Sequence, residues 1–194
     1  MNRSYQLDKK MIEEGVRLII KGIGEDINRE GLQRTPERVS EMCEEIFSGI
    51  GQDPAEELEP LFDENHDEMI IVKDIPFYSI CEHHMVPFTG KAHIAYIPNK
   101  NGKVVGLSKL IRVLDVVAKR LQVQEKLTSI VADTIEKKIK PRGVLVIVEA
   151  EHLCMSMRGV KKPNTLTVTS AVRGLFRENP ASRNEAMALI KQNK

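Results

Sequence analysis

The strongest constraint on the fold is a hydrophobic period that changes repeatedly between Glu68 and Phe176. The stretches "EMIIVKDIPFYSI" and "KAHIAYIP" are rich in β-branched and aromatic residues and read as two strands. "GLSKLIRVLDVVAKRLQ" then takes a helical period through Leu110, Leu114, Val117 and Leu121, and "VQEKLTSIVADTIEKKIK" repeats it through Leu127, Ile130, Val131 and Ile135. "GVLVIVEAEHLCMSMRG" and "NTLTVTSAVRGLF" return to strand, and Asn179 with Pro180 opens a short terminal helix. Two strands, two helices and two strands predict an α+β domain with a mainly antiparallel sheet.

Ahead of this block the texture is helical. Met11, Ile12, Val16, Ile19, Ile20 and Ile23 recur at helical spacing. A second helix starts where Thr35 can cap and Pro36 can fill the first turn, runs through Val39, Met42, Cys43, Ile46 and Phe47, and stops at Gly49. Residues 51–65 are acidic and proline-broken, so they connect rather than pack. The expected division is a helical arm with its linker at 1–60 and the main domain at 61–194.

The formal net charge of +1 argues against a bulk polyanion, since a chain that grips nucleic acid through phosphates carries a basic excess. A small anionic ligand is compatible with it. The N-terminus has no apolar core of signal-peptide length, and no run approaches the roughly 18 residues of a membrane span. The expectation is a cytoplasmic protein without membrane or nucleic-acid partners. Three cysteines, an odd number with no export signal, point to metal binding or catalysis rather than disulfides.

One of those cysteines stands in "SICEHHMVPF", beside two of the five histidines. Positions three apart face opposite ways on a straight strand but can converge on a turn, and Pro87 favours such a break, so Cys81 and His84 form a usable half-site. A complementary half lies in "EAEHLCMSMR". Strand alternation puts Val146, Val148, Ala150, His152, Cys154, Ser156 and Arg158 on one face, which begins apolar and ends with a base, a thiol and a cation. Core filling explains this poorly, because a buried His or Arg needs a partner. The plainer explanation is a strand running out into solvent.

Taken together, Cys81, His84 and Cys154 supply three ligands for a tetrahedral Zn²⁺ with one place open, which is the catalytic rather than the structural arrangement. His83 and His152 are candidates for the fourth place. If neither coordinates, both are free for acid–base work beside water whose pKa has fallen to about 7. Other chemistries lack their parts. Gly102-Lys103 has no upstream glycine for a Walker loop, Gly22-x-Gly24 follows no strand, and His66-x-Glu68 is not followed by Pro-Cys-x-x-Cys. A cysteine nucleophile activated by a neighbouring histidine would leave Cys154 unexplained.

"CEHH", "GLSKLIR", "RLQVQEKLT" and "HLCMSMRG", in this order and spacing, resemble GTP cyclohydrolase I, the zinc enzyme family that converts GTP to dihydroneopterin triphosphate and formate. The resemblance runs from "TPERV" to "TVTSAVRGLF". It implies the tunnelling fold, with antiparallel strands and paired helices from each subunit, an N-terminal helical arm, and a homodecamer whose active sites lie between subunits. Residues 61–194 would then be the catalytic domain. It implies Cys81, His84 and Cys154 as zinc ligands, His152 as the acid–base group at the guanine imidazole ring, and His83 working with Ser108 in ring hydrolysis and ribose opening. Gln124 and Glu125 correspond to the guanine-reading pair, and Lys109, Arg112, Arg158 and Arg38 to the basic residues around the triphosphate.

Physical chemistry is compatible with these roles. Guanine offers N1–H and its 2-amino group side by side, which a carboxylate can accept as a pair, and adenine has no such edge. Glu125 also suits a plain first-turn acid and Ser108 an ordinary N-cap, while Lys109 and Arg112 near a helix start suit phosphate. Two rival expectations remain: a related pterin or deazapurine enzyme of the same fold, and a non-catalytic purine-binding protein with a structural zinc. The implied pathway is folate or another pterin.

Overall fold

The computed structural model describes residues 6–100 and 102–192. The chain divides into two compact units, Met1–Gln52 and Asp53–Lys194. The first holds α1 (Lys9–Gly22) and α2 (Thr35–Ile46), which pack on each other. Asp8 caps α1 by accepting the Met11 N–H at 3.0 Å. Pro36 sits in the first turn of α2 as expected, but Thr35 is the first helical residue rather than its cap. Arg34 precedes it with no side-chain cap, and the Thr35 hydroxyl donates back to the Gly31 carbonyl at 3.4 Å.

The second unit opens with a 3-10 turn (Pro54–Leu58), followed by β1 (Leu61–Asp63), β2 (Ile70–Cys81), β3 (Pro87–Ile97), β4 (Lys103–Val105) and α3 (Leu107–Ala118). It continues through β5 (Leu121–Gln122), α4 (Gln124–Ile139), β6 (Gly143–His152) and α5 (Leu153–Ser156). It ends with β7 (Leu166–Gly174), α6 (Leu175–Glu178) and α7 (Pro180–Lys191). Asn179 caps α7 by accepting the Ala181 and Ser182 N–H groups.

The main sheet runs β5-β2-β3-β6-β7, antiparallel except that β5 lies parallel to β2, while β1 and β4 form a separate two-stranded ribbon. This is the α+β, antiparallel arrangement that the alternating periods predict. Successive residues of β6 face opposite ways. Val144, Val146, Val148 and Ala150 join Leu110, Leu114, Leu127, Val131 and Ile135 of α3 and α4 in the larger core. Leu145 and Ile147 join Ala95, Ile97, Phe176 and Ala186 on the opposite face. Beyond Ile147 that second face turns polar, with Glu149 and Glu151.

Two local features hold β2, β3 and β6 in register. A Cβ added at Gly90 would lie 1.8 Å from the Glu149 carbonyl oxygen, so only glycine permits this approach of β3 to β6. His93 is buried, and its Nδ1 accepts the Asp74 N–H at 3.2 Å where the β2–β3 pairing shifts between Val72 and Ile75. Burial lowers its pKa, and Glu149 opposes that shift only in part. His93 is therefore a structural histidine.

The hydrogen bonds also orient α3. Its C-terminal end is tied beside Ser79, whose hydroxyl donates to the Ala118 carbonyl at 2.7 Å. Its N-terminal end follows Val105, whose N–H donates to the Tyr96 hydroxyl at 3.2 Å. Tyr96 and Phe88 stand near opposite ends of β3, about 26 Å apart at the usual rise per residue. Among the described residues no helix is long and apolar enough to cross a membrane.

Candidate active site

At one end of the sheet the registers align Ser79, Phe88 and His152 across β2, β3 and β6. Cys81 is the last residue of β2 and pairs with Gln122 of β5. The chain then turns sharply: Cys81 N–H donates to the Val86 carbonyl and Met85 N–H to the Cys81 carbonyl, both at 2.9 Å, with Met85 at φ 52°. The Glu82 N–H donates to Gln122 O at 3.0 Å and ties the turn to the neighbouring strand. This is the break expected before Pro87, and it swings His84 back toward Cys81.

Cys154 arrives from β6, but not by strand alternation. The strand ends at His152, and residues 153–156 coil into the four-residue α5. The single face drawn through Cys154, Ser156 and Arg158 is therefore not formed, because helical turning replaces the two-residue period after His152. The metal argument survives this correction. Ligand atoms of Cys81, His84 and Cys154 all lie within 4.8 Å of one another, and neither His83 nor His152 belongs to the group.

The donor chemistry fits a soft or borderline divalent cation. Two thiols meet here beside an imidazole, and the Cys154 thiol is pushed up by burial and by the nearby Cys81. A cation between the sulfurs reverses that penalty, because it favours both thiolates. Cys43, in contrast, lies buried on α2 with its thiol raised by burial alone.

His152 is held from two sides. Its ring stacks on Phe88 with centroids 4.6 Å apart and planes 3° from parallel. Its Nε2 lies 2.8 Å from Gln124 Oε1. Burial lowers its pKa, and Glu125 opposes the shift. His83 is exposed on the turn, 3.8 Å from a Glu82 carboxylate oxygen.

Gln124 departs from its expected place. It is 1% exposed, and its amide hydrogens are directed to the Val148 and Thr167 carbonyls and to Thr169 Oγ1 at 2.9, 3.0 and 3.1 Å. With Oε1 turned to His152, the side chain has no edge left for a nucleobase. Glu125, the next residue, is exposed in the first turn of α4 and remains free to serve as a base reader.

The basic residues are more scattered. Arg158 follows α5 and is exposed, near the cysteine–histidine group in sequence. Ser108, Lys109 and Arg112 lie in the first half of α3, which starts beyond Tyr96. Ser108 is about 15 Å of helix from the Ala118 end that touches Ser79. Within one chain these three residues are therefore not brought to Cys81. Gly106, not Ser108, precedes the helix as its cap, and Arg112 lies 3.9 Å from Glu57. Arg38 is exposed on α2 of the first unit.

The sequence reading missed Phe88, Thr128 and Thr169 as supports of His152. Thr128 had a legible signal, since it lies four residues after Gln124 on the same helix face. Phe88 and Thr169 reach the site only through strand register, which a single sequence does not display.

Comparison with known proteins adds an independent line. The sequence model of the GTP cyclohydrolase I family matches residues 12–191. A protein named GTP cyclohydrolase 1 from Carboxydothermus hydrogenoformans is 62% identical over 184 residues, covering 95% of each chain. Its namesake from Pelotomaculum thermopropionicum is 64% identical over 184 residues, covering 95% of this chain and 97% of its own. Among solved structures, the apo form of an archaeosine synthase QueF-Like aligns with 55% of this chain and 93% of its own, with TM-score 0.43 and 15% identity.

Proposed function

Because the chain belongs to the GTP cyclohydrolase I family, we propose that Cys81, His84 and Cys154 hold a Zn²⁺ with one place open, beside which GTP is converted to 7,8-dihydroneopterin triphosphate and formate. The protein is a GTP cyclohydrolase, and the observation that carries the residue-level reading is the convergence of these three donors from two distant stretches of chain. Mixed thiolate and imidazole ligands suit zinc, and three protein ligands are the catalytic count. When bound, the ion supplies a Lewis acid and lowers the pKa of water in the open place to about 7.

The remaining demands fall on side chains. Glu125 accepts N1–H and the 2-amino group of guanine, a pairing that selects against adenine. His152 takes and returns protons as the imidazole ring of guanine opens and, after a second hydrolysis, C8 leaves as formate. His83 and Ser108 assist ring hydrolysis and ribose opening. Lys109, Arg112 and Arg158 neutralise a triphosphate of about four negative charges, and Arg38 stands with them on the family correspondence alone.

The distance of Ser108 and Lys109 from the cysteine–histidine group supports a homo-oligomer, in the family a decamer, in which α3 of one chain completes the site of another. We place the enzyme in the cytoplasm, at the entry to folate or other pterin synthesis.

The direct test incubates metal-replete protein with GTP and, separately, with ATP. Formate is expected from GTP alone. Formate from neither nucleotide, with zinc bound, would leave a purine-binding protein with a structural metal.

A further inference from the structure

We infer that Gln124 is a positioning residue that fixes the tautomer of His152, so that the proton exchanged with substrate resides on Nδ1. The inference rests on the reading of His152 as the proton-transfer group, but its evidence is separate. It comes from a closed set of hydrogen bonds in which each donor and acceptor can be assigned.

The amide of Gln124 can point only one way. One end meets the Val148 and Thr167 carbonyl oxygens at 2.9 and 3.0 Å, and carbonyl oxygens only accept, so that end is the NH₂. A flipped amide would set its own oxygen against both. The other end is therefore Oε1, an acceptor, and it faces His152 Nε2 at 2.8 Å. That nitrogen must donate.

Two threonines close the set. Thr128 Oγ1 lies 2.7 Å from the Gln124 carbonyl and spends its hydrogen there. In the 2.7 Å contact between the two hydroxyls Thr128 must then accept, so Thr169 donates. The Thr169 oxygen is left to accept from the Gln124 amide at 3.1 Å. Because α4, β6 and β7 all contribute, the amide is anchored by three elements rather than by one mobile turn.

The consequence for His152 holds in either charge state. In the neutral ring Nε2 carries the hydrogen and Nδ1 the lone pair; in the cation the added proton is on Nδ1. Phe88 fixes the ring plane by stacking at 4.6 Å, so the ring cannot easily turn over to exchange its nitrogens. Gln124 thus acts through His152 without touching the nucleotide.

The experiment is ¹⁵N NMR of assembled, metal-replete protein labelled at histidine nitrogens, recorded in the solid state at about pH 8, above the ordinary imidazole range. His152 is identified by difference from His152→Asn. The expected signal is a neutral ring protonated at Nε2 and bare at Nδ1. The variant Gln124→Met should turn it into a mixture and lower kcat about 10- to 100-fold, with zinc content and KM near wild type. A wild-type ring protonated at Nδ1 would overturn the inference, as would a Gln124→Met variant with wild-type tautomer and kcat. Should that variant not fold, the wild-type spectrum still decides. Formate release by His152→Asn tests the proton-transfer role by itself, so the two readings fail separately.

Discussion

Cys154→Ala loses bound zinc and GTP turnover together, whereas Cys43→Ala keeps both. The expected contrast follows from where the two thiols lie. Cys154 is one of three donors within 4.8 Å, and its removal leaves one thiol and one imidazole, too few to hold the ion. Losing even an outer-shell partner of a zinc ligand costs about 10- to 100-fold in affinity or activity, and losing a ligand itself should cost more. Cys43 is also buried, at 8% exposure, but among the residues of α2. Its truncation deletes a single heavy atom and costs on the order of 1 kcal/mol of stability through a small cavity. Metal analysis beside a formate assay separates the outcomes, and full zinc occupancy in the Cys154 variant would defeat the ligand assignment.

Glu125→Gln should retain zinc and fold while losing turnover of GTP. A carboxylate meets the two donors of the guanine edge with acceptors only; an amide presents one donor of its own and leaves groups in the closed site unpaired. That loss is on the order of 1 to 3 kcal/mol, or about 5- to 150-fold in kcat/KM. A first-turn acid with no ligand role would behave differently. Its neutralisation removes a favourable interaction with the helix N-terminus, worth about 0.3–1 kcal/mol of stability, and leaves kcat/KM untouched. Unchanged turnover in the variant would assign Glu125 to that helical role.

Much of this architecture is legible in the sequence because it is written in local periods. The runs that became β2, β3, α3, α4, β6 and β7 each carry enough apolar residues at one spacing to declare their type, and Asn179-Pro180 announces α7 by its capping chemistry. What escaped depends on distant partners. The short strands β1, β4 and β5 have no period of their own and exist because Leu61 meets Val105 and Cys81 meets Gln122. The end of β6 escaped for a related reason. Alternation through "EAEHLC" is consistent with a strand as far as Cys154, and only the structure shows the chain coiling after His152.

The site divides along the same line. Cys81 and His84 were readable from spacing and a following proline, since both act within one turn. Gln124 was read as a base reader because it neighbours Glu125, yet its partners lie 24 to 45 positions away in β6 and β7 and turn its amide inward. Ser108 and Lys109 look close to the site in the order of motifs, while α3 carries them toward the far end of the sheet. Sequence order conveys which residue types are present; register and helix direction decide which of them meet.

The central claim is that Cys81, His84 and Cys154 form an open, catalytic zinc site rather than a closed structural one. X-ray absorption at the zinc edge of the isolated, metal-replete protein tests it most directly. The account predicts two sulfur neighbours at about 2.3 Å, a single imidazole nitrogen at about 2.0–2.1 Å and one further light atom without imidazole scattering. A shell with two imidazoles, showing that His83 or His152 closes the site, or a shell without sulfur, would contradict it.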